Sequence, residues 1–131
     1  MSACILIVDD NPVNLKLAAS ILEFAGYRVF EAVDASQAQY IIRRTPPDLI
    51  LMDIALPGMD GLTLTRRIKE DPATNHIRIV ALTASAMRGD DEKARAAGCE
   101  GYITKPIDTR ALAEQVAQIL NRTAETKEST S

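Results

Sequence analysis

Asp48-Leu-Ile-Leu-Met-Asp53 is an apolar run bracketed by acids, followed by Ile54-Ala-Leu-Pro-Gly-Met-Asp-Gly61, a stretch rich in turn formers. Four consecutive apolar residues between such punctuation predict a strand buried on both faces, with Asp53 at its carboxyl end. Open α/β sheets bind their ligands at that end of their strands. Asp53 is therefore the residue whose chemistry has to be explained.

Toward the amino terminus, Cys4-Ile-Leu-Ile-Val8 is a second run of the same kind, and it stops at Asp9-Asp10. Asn11-Pro12 suits a helix start, Leu15, Ala18, Leu22 and Ala25 recur at helical spacing, and Gly26 supplies the stop. Tyr27 to Ala32 reads as a strand. Asp34 opens a helix with Ala35, Ala38, Ile41 and Ile42 inward, which Thr45-Pro-Pro47 ends.

Toward the carboxyl terminus, a helix carrying Leu62, Leu64 and Ile68 closes at Asp71-Pro72, and Ile77 to Leu82 is a strand leading to Thr83-Ala-Ser85. Ala86 to Ala97 has helical length but few large apolar residues, so it buries little surface; Gly98 caps it. Glu100 to Ile103 is the last strand. Asp108 is the expected cap of a final helix with Leu112, Val116, Ile119 and Leu120 inward. This alternation predicts a flavodoxin-like (βα)5 three-layer α/β sandwich: a five-stranded parallel sheet of order 2-1-3-4-5, helices on both faces, right-handed crossovers. Residues 1–121 are expected to form the domain and residues 122–131 a flexible polar tail.

The chain has 131 residues, 47% hydrophobic and 25% charged, which suits one compact domain. Its net charge of −3 lacks the basic excess of a nucleic-acid binder. No run approaches the roughly 20 apolar residues of a membrane span, and no targeting signal is evident, so a cytoplasmic location is expected. Cys4 and Cys99 read as reduced core thiols. His76 sits in a polar turn before a strand and reads as a solvated loop residue.

In a parallel sheet the carboxyl ends of all strands share one rim, which would gather Asp9, Asp10, Asp53, Thr83 and Lys105. Singly these are ordinary loop residues; jointly they are chemically coherent. Carboxylates that close repel by about 4 kcal/mol per pair at 4 Å and an effective dielectric near 20, so the cluster calls for a cation. Oxygen ligands alone suit Mg²⁺, for which Mn²⁺ is a possible substitute. With a metal held by Asp9 and Asp10, Asp53 is the best candidate for attack on a phosphorus centre. Lys105 and the Thr83 hydroxyl would then balance charge on the phosphoryl oxygens.

Ile7-Val-Asp-Asp10, Leu51-Met-Asp53 with Pro57-Gly58 and Asp60-Gly61, Ala81-Leu-Thr83-Ala and Lys105-Pro106 together resemble the receiver domain of two-component response regulators over residues 3 to 121. The resemblance implies that Asp53 accepts a phosphoryl group from a histidine of a sensor kinase or histidine phosphotransfer protein. It implies Asp9, Asp10, Asp53 and the backbone carbonyl of Ala55 as Mg²⁺ ligands, and Thr83 and Tyr102 as switch residues. The downstream protein target is expected at the face of the fourth helix, fifth strand and fifth helix. A cis Lys105-Pro106 peptide is a further implication. Asn11-Pro-Val-Asn14 and the run from Ala84 to Asp90 with Gly98-Cys99 are similar to single-domain receivers of the DivK type and to receivers of hybrid kinases. Ala55 and Ser85 differ from the chemotaxis receiver at positions flanking the phosphoryl group.

The expected function is thus a phosphorylation-controlled protein-binding switch that turns over no external substrate. An enzyme of the haloacid dehalogenase type shares the Asp nucleophile but needs a second Asp where this chain has Ala55. A phosphorylation-independent interaction module is disfavoured by the intact acidic set, and a flavin binder by the lack of a glycine-rich loop after the first strand.

Overall fold

The opening stretch forms β3 (Leu49–Asp53), and every residue in it is buried. In the computed structural model, which describes residues 3–56, 58–83, 90–105 and 107–130, the elements run in the order β1 (Cys4–Val8), α1 (Pro12–Phe24), β2 (Arg28–Ala32), α2 (Ala35–Arg44), β3, α3 (Gly61–Glu70), β4 (Arg78–Thr83), α4 (Asp90–Ala97), β5 (Gly101–Thr104) and α5 (Leu112–Thr130). The five strands form one parallel sheet of order β2-β1-β3-β4-β5. This is the flavodoxin-like arrangement expected from the alternation of elements.

Alternate residues of the strands feed opposite layers, as a pleat of period two requires. Leu6, Val8, Ile50, Met52, Ile79 and Ala81 pack with residues of α2, α3 and α4, including Ala38, Ile42, Leu64, Ile68 and Ala94. Ile5, Ile7, Leu49, Leu51, Val80 and Leu82 pack with α1 and α5 through Leu15, Leu22, Leu112 and Val116. Truncating a fully buried strand residue such as Leu51 to alanine is expected to cost about 2–5 kcal/mol.

Local chemistry sets the helix ends. Asn11 accepts from the Val13 and Asn14 amides and Pro12 occupies the first helical position, so α1 starts where the sequence marks it. Asp34 and Asp60 cap α2 and α3 through the Gln37 and Thr63 amides. Gly26 and Gly98, at φ of 103° and 111°, turn the chain after α1 and α4 in a region that side chains disfavour.

Several expectations shift. Ala25 is the exposed cap of α1, and Ala19 takes the inward place beside Ala18. Asp108 caps only a turn, accepting from the Arg110 amide, and the helix proper begins at Leu112. Helix α5 runs from Leu112 to Thr130, and residues 122–130 contain neither glycine nor proline that would interrupt it. The first residues of the helix expected from Ala86 lie outside the described residues, as do Ala84, Ser85 and Pro106, and with Pro106 the question of a cis peptide. Cys4 and Cys99 are free and buried, and His76 is exposed in a turn. Among the described residues no helix is long and apolar enough to cross a membrane.

Candidate functional site

Four strand ends deliver the candidate residues to one rim. Asp9 follows β1 directly; its amide donates to the Ala32 carbonyl at the end of β2, 3.0 Å away, and its Oδ1 accepts from the Asn11 amide at 2.9 Å. Those bonds turn the chain from strand to helix and hold the Asp9 carboxylate in the sheet, only 1% exposed. Asp10, one residue later, is exposed.

Asp53 ends β3 at 3% exposure, and the backbone folds back beneath its carboxylate: the Ala55 amide donates to Oδ1 at 2.9 Å. The Ile54 amide donates to the Leu82 carbonyl of β4 at 3.1 Å, which keeps this turn in register with the sheet. Ala55 itself is exposed.

Thr83 ends β4, 3% exposed, and its carbonyl accepts from the Lys105 amide at 2.7 Å. Lys105 follows β5, and its Nζ lies 3.0 Å from both Asp9 Oδ2 and Asp53 Oδ2. The Asp53 contact is a hydrogen bond; the Asp9 contact is a charge contact in which no donor is aligned with the oxygen. Burial alone would lower the Lys105 pKa, but pairing with the carboxylates of Asp9 and Asp53 outweighs it, and the pKa rises. Burial raises the Asp9 pKa, against the pull of the Asn11 amide and Lys105. One lysine therefore offsets only part of the cost of crowding these acids.

One carboxylate oxygen each from Asp9, Asp10 and Asp53 can be chosen so that all lie within 4.8 Å of one another. The donors are hard oxygens, and the buried Asp9 Oδ2 lacks an aligned hydrogen-bond donor. Both features fit a small divalent cation that keeps waters. Of the residues named from sequence, Asp9, Asp10, Asp53 and Lys105 thus converge, Thr83 ends the neighbouring strand and the Ala55 amide touches Asp53, while Tyr102 lies on β5 at 39% exposure. What sequence reading missed is the division of labour within the acid pair, Asp9 sealed and Asp10 open. It also missed the Asn11 amide that sets it. The Asn11-Pro12 that follows the pair is the available signal.

Comparison with known proteins agrees with this geometry. Residues 5–117 match the model of the response regulator receiver domain. The chain is 41% identical over 120 residues to the polar-differentiation response regulator DivK of Brucella ovis, covering 92% of this chain and 98% of the relative. Among solved structures it is similar to a CheY-like response regulator receiver domain protein from Methanospirillum hungatei JF-1, with a TM-score of 0.87, 30% identity and coverage of 96% and 99% of the two chains. It is also similar to the signal receiver domain of a signal transduction histidine kinase from Syntrophus aciditrophicus, with a TM-score of 0.83, 32% identity and coverage of 92% and 91%. Fold, site and relatives coincide, and the chain belongs to the response regulator receiver domain family.

Proposed function

We propose that Asp53 accepts a phosphoryl group from the phosphohistidine of a sensor kinase or histidine phosphotransfer protein, and that the modified chain switches its protein partners. The observation that carries this reading is the convergence of Asp9, Asp10, Asp53 and Lys105 on one rim of the sheet. In the step itself an Asp53 carboxylate oxygen forms a bond to phosphorus, the phosphorus–nitrogen bond of the donor breaks, and the electron pair returns to the imidazole. The product is an acyl phosphate.

Mg²⁺, or Mn²⁺ in its place, would be held by Asp9, Asp10, Asp53 and the Ala55 carbonyl, and when bound supplies charge neutralisation at the phosphoryl oxygens. Lys105, already 3.0 Å from Asp53 Oδ2, pairs with one phosphoryl oxygen. Thr83, at the neighbouring strand end, donates its hydroxyl to another. The same residues serve loss of the group to water, so self-phosphorylation and self-dephosphorylation are the chain's own chemistry, with no external substrate.

Thr83 and Tyr102 carry the change outward, the latter turning inward on β5, so that the face of α4, β5 and α5 binds the output protein only in one state. The receiver unit is residues 1–121, a boundary supported by the family match ending at residue 117. Incubation with a small acyl phosphate and Mg²⁺ should add one phosphoryl group per chain, and Asp53→Asn should add none. A modification that survives in Asp53→Asn would refute the assignment. Proteins retained by the beryllium-fluoride-activated chain and not by the untreated chain would be its outputs.

A further inference from the structure

Gly61 opens α3 without a positive φ, so backbone conformation does not demand a glycine there. Space does. A Cβ at this position would collide with the Asp53 carbonyl oxygen, and would lie 2.8 Å from Ile54 Cα and 2.9 Å from the Asp53 carbonyl carbon. All three are backbone atoms, and none can yield as the end of a long side chain can. The first turn of α3 therefore rests directly on the peptide that carries Asp53.

One bond ties this seat to the turn, and a second, within α3, braces the helix end that rests on it. The Gly61 amide reaches the Ile54 carbonyl at 3.4 Å, and the Thr65 hydroxyl, fully buried, donates to the Gly61 carbonyl at 2.8 Å. On the opposite side the Ile54 amide is held by Leu82 of β4. The turn from Asp53 to Ala55 is thus fixed between a strand and a helix end. The Ala55 amide that orients Asp53 Oδ1 belongs to that turn.

Resting on the acceptor reading above, we infer that Gly61 and Thr65 are positioning residues for phosphoryl transfer. They touch no reacting atom. By letting α3 seat on the Asp53–Ile54 peptide they set the height of the Ala55 amide, and so which way the Asp53 carboxylate faces. A displacement of about 1 Å in a reacting group is enough to cost up to about 100-fold in rate.

The experiment compares wild type with Gly61→Ala in two readouts. One is phosphorylation by a small acyl phosphate with Mg²⁺; the other is amide hydrogen exchange of the Mg²⁺-free protein. The expected result is a fall of at least about 10-fold in maximal rate, with little change in the half-saturating donor concentration. The Ala55 amide should lose protection while the amides of β1 and β2 keep theirs. Should Gly61→Ala not fold, Thr65→Val is expected to slow the reaction about fivefold, the rate equivalent of one neutral hydrogen bond, and Thr65→Ser to restore it.

A wild-type rate with an unmoved Ala55 amide in Gly61→Ala would overturn the inference, as would a wild-type rate in Thr65→Val. Loss of protection spread evenly over β1, β2 and the turn would also overturn it, by reducing the glycine to a folding requirement. Failure of the wild type to take any phosphoryl group would overturn the acceptor reading and the role with it, and a displaced Ala55 amide in the variant would mark that case apart.

Discussion

Lys105 is held between two buried acids, and the balance of charge there decides how the metal-free protein responds to substitution. Lys105→Met leaves Asp9 and Asp53 facing each other without a cation, and should destabilise the chain on the order of 2 kcal/mol in urea unfolding without metal. Asp9→Asn should act in the opposite direction, because a group whose charged form is disfavoured by burial loses that penalty when neutralised. If both variants fall in stability, the acids are not in net repulsion. Cys99 offers a second test. Burial pushes its thiol from 9.0 up to about 11, with Glu100 adding to the rise and Thr65 and Lys69 opposing it. The folded state then binds the thiol proton more tightly than the unfolded state. Stability from this group is complete below about pH 9 and is lost as pH rises toward 11. The loss is on the order of 2 kcal/mol, and Cys99→Ala should flatten the stability-versus-pH slope in that window. That Cys4 and Cys99 are core thiols was legible from their apolar neighbours. That Cys99, in the turn after α4, meets Thr65 of α3 was not.

At the scale of elements, polar contacts tie the turn after α4 to α3 and β4, next to a helix whose sequence offers few large apolar groups. The Lys69 ammonium on α3 donates to the carbonyls of Asn75 and Ile77 and to Glu100 Oε2, at 3.2, 2.6 and 2.8 Å. Glu100 in turn accepts from the Ile79 amide at 2.7 Å, tying the start of β4 to the turn between α4 and β5. Ala94, Ala97 and Cys99 supply the small buried surface that the composition allows. Glu100→Ala should cost about 1–2 kcal/mol, discounted for partial exposure, and should speed exchange of the Ile79 amide ahead of the amides of β1. Uniform exchange across the sheet would show that the clasp is not local. Helix starts were legible because capping residues act on amides a few positions away. The clasp was not, because its partners are 31 residues apart and neither type predicts the other.

For the whole molecule, metal binding and folding are linked: a cation held by the folded rim alone stabilises it by about 2.7 kcal/mol at a concentration 100 times the dissociation constant. Mg²⁺ should therefore raise the melting temperature of wild type, and Asp9→Asn or Asp10→Asn should reduce the increase. An increase of equal size in all three would place the ion elsewhere. The doubly covered sheet makes this possible, because the strands are pinned from both sides by separate apolar layers while their carboxyl ends stay free to carry charge.

The sequence by itself determined the alternation of elements, the strand order and the membership of the rim. Apolar runs, caps and glycine stops are local signals, and a parallel sheet has a single carboxyl edge. Tertiary structure alone decided that Asp9 is sealed and Asp10 open, that Lys105 bridges Asp9 and Asp53, and that α3 sits on the Asp53 peptide at Gly61. Each of these depends on how two distant segments approach to within a few ångströms. Hydrophobic patterning specifies which face a residue occupies; the separation between faces is set by packing of the whole core.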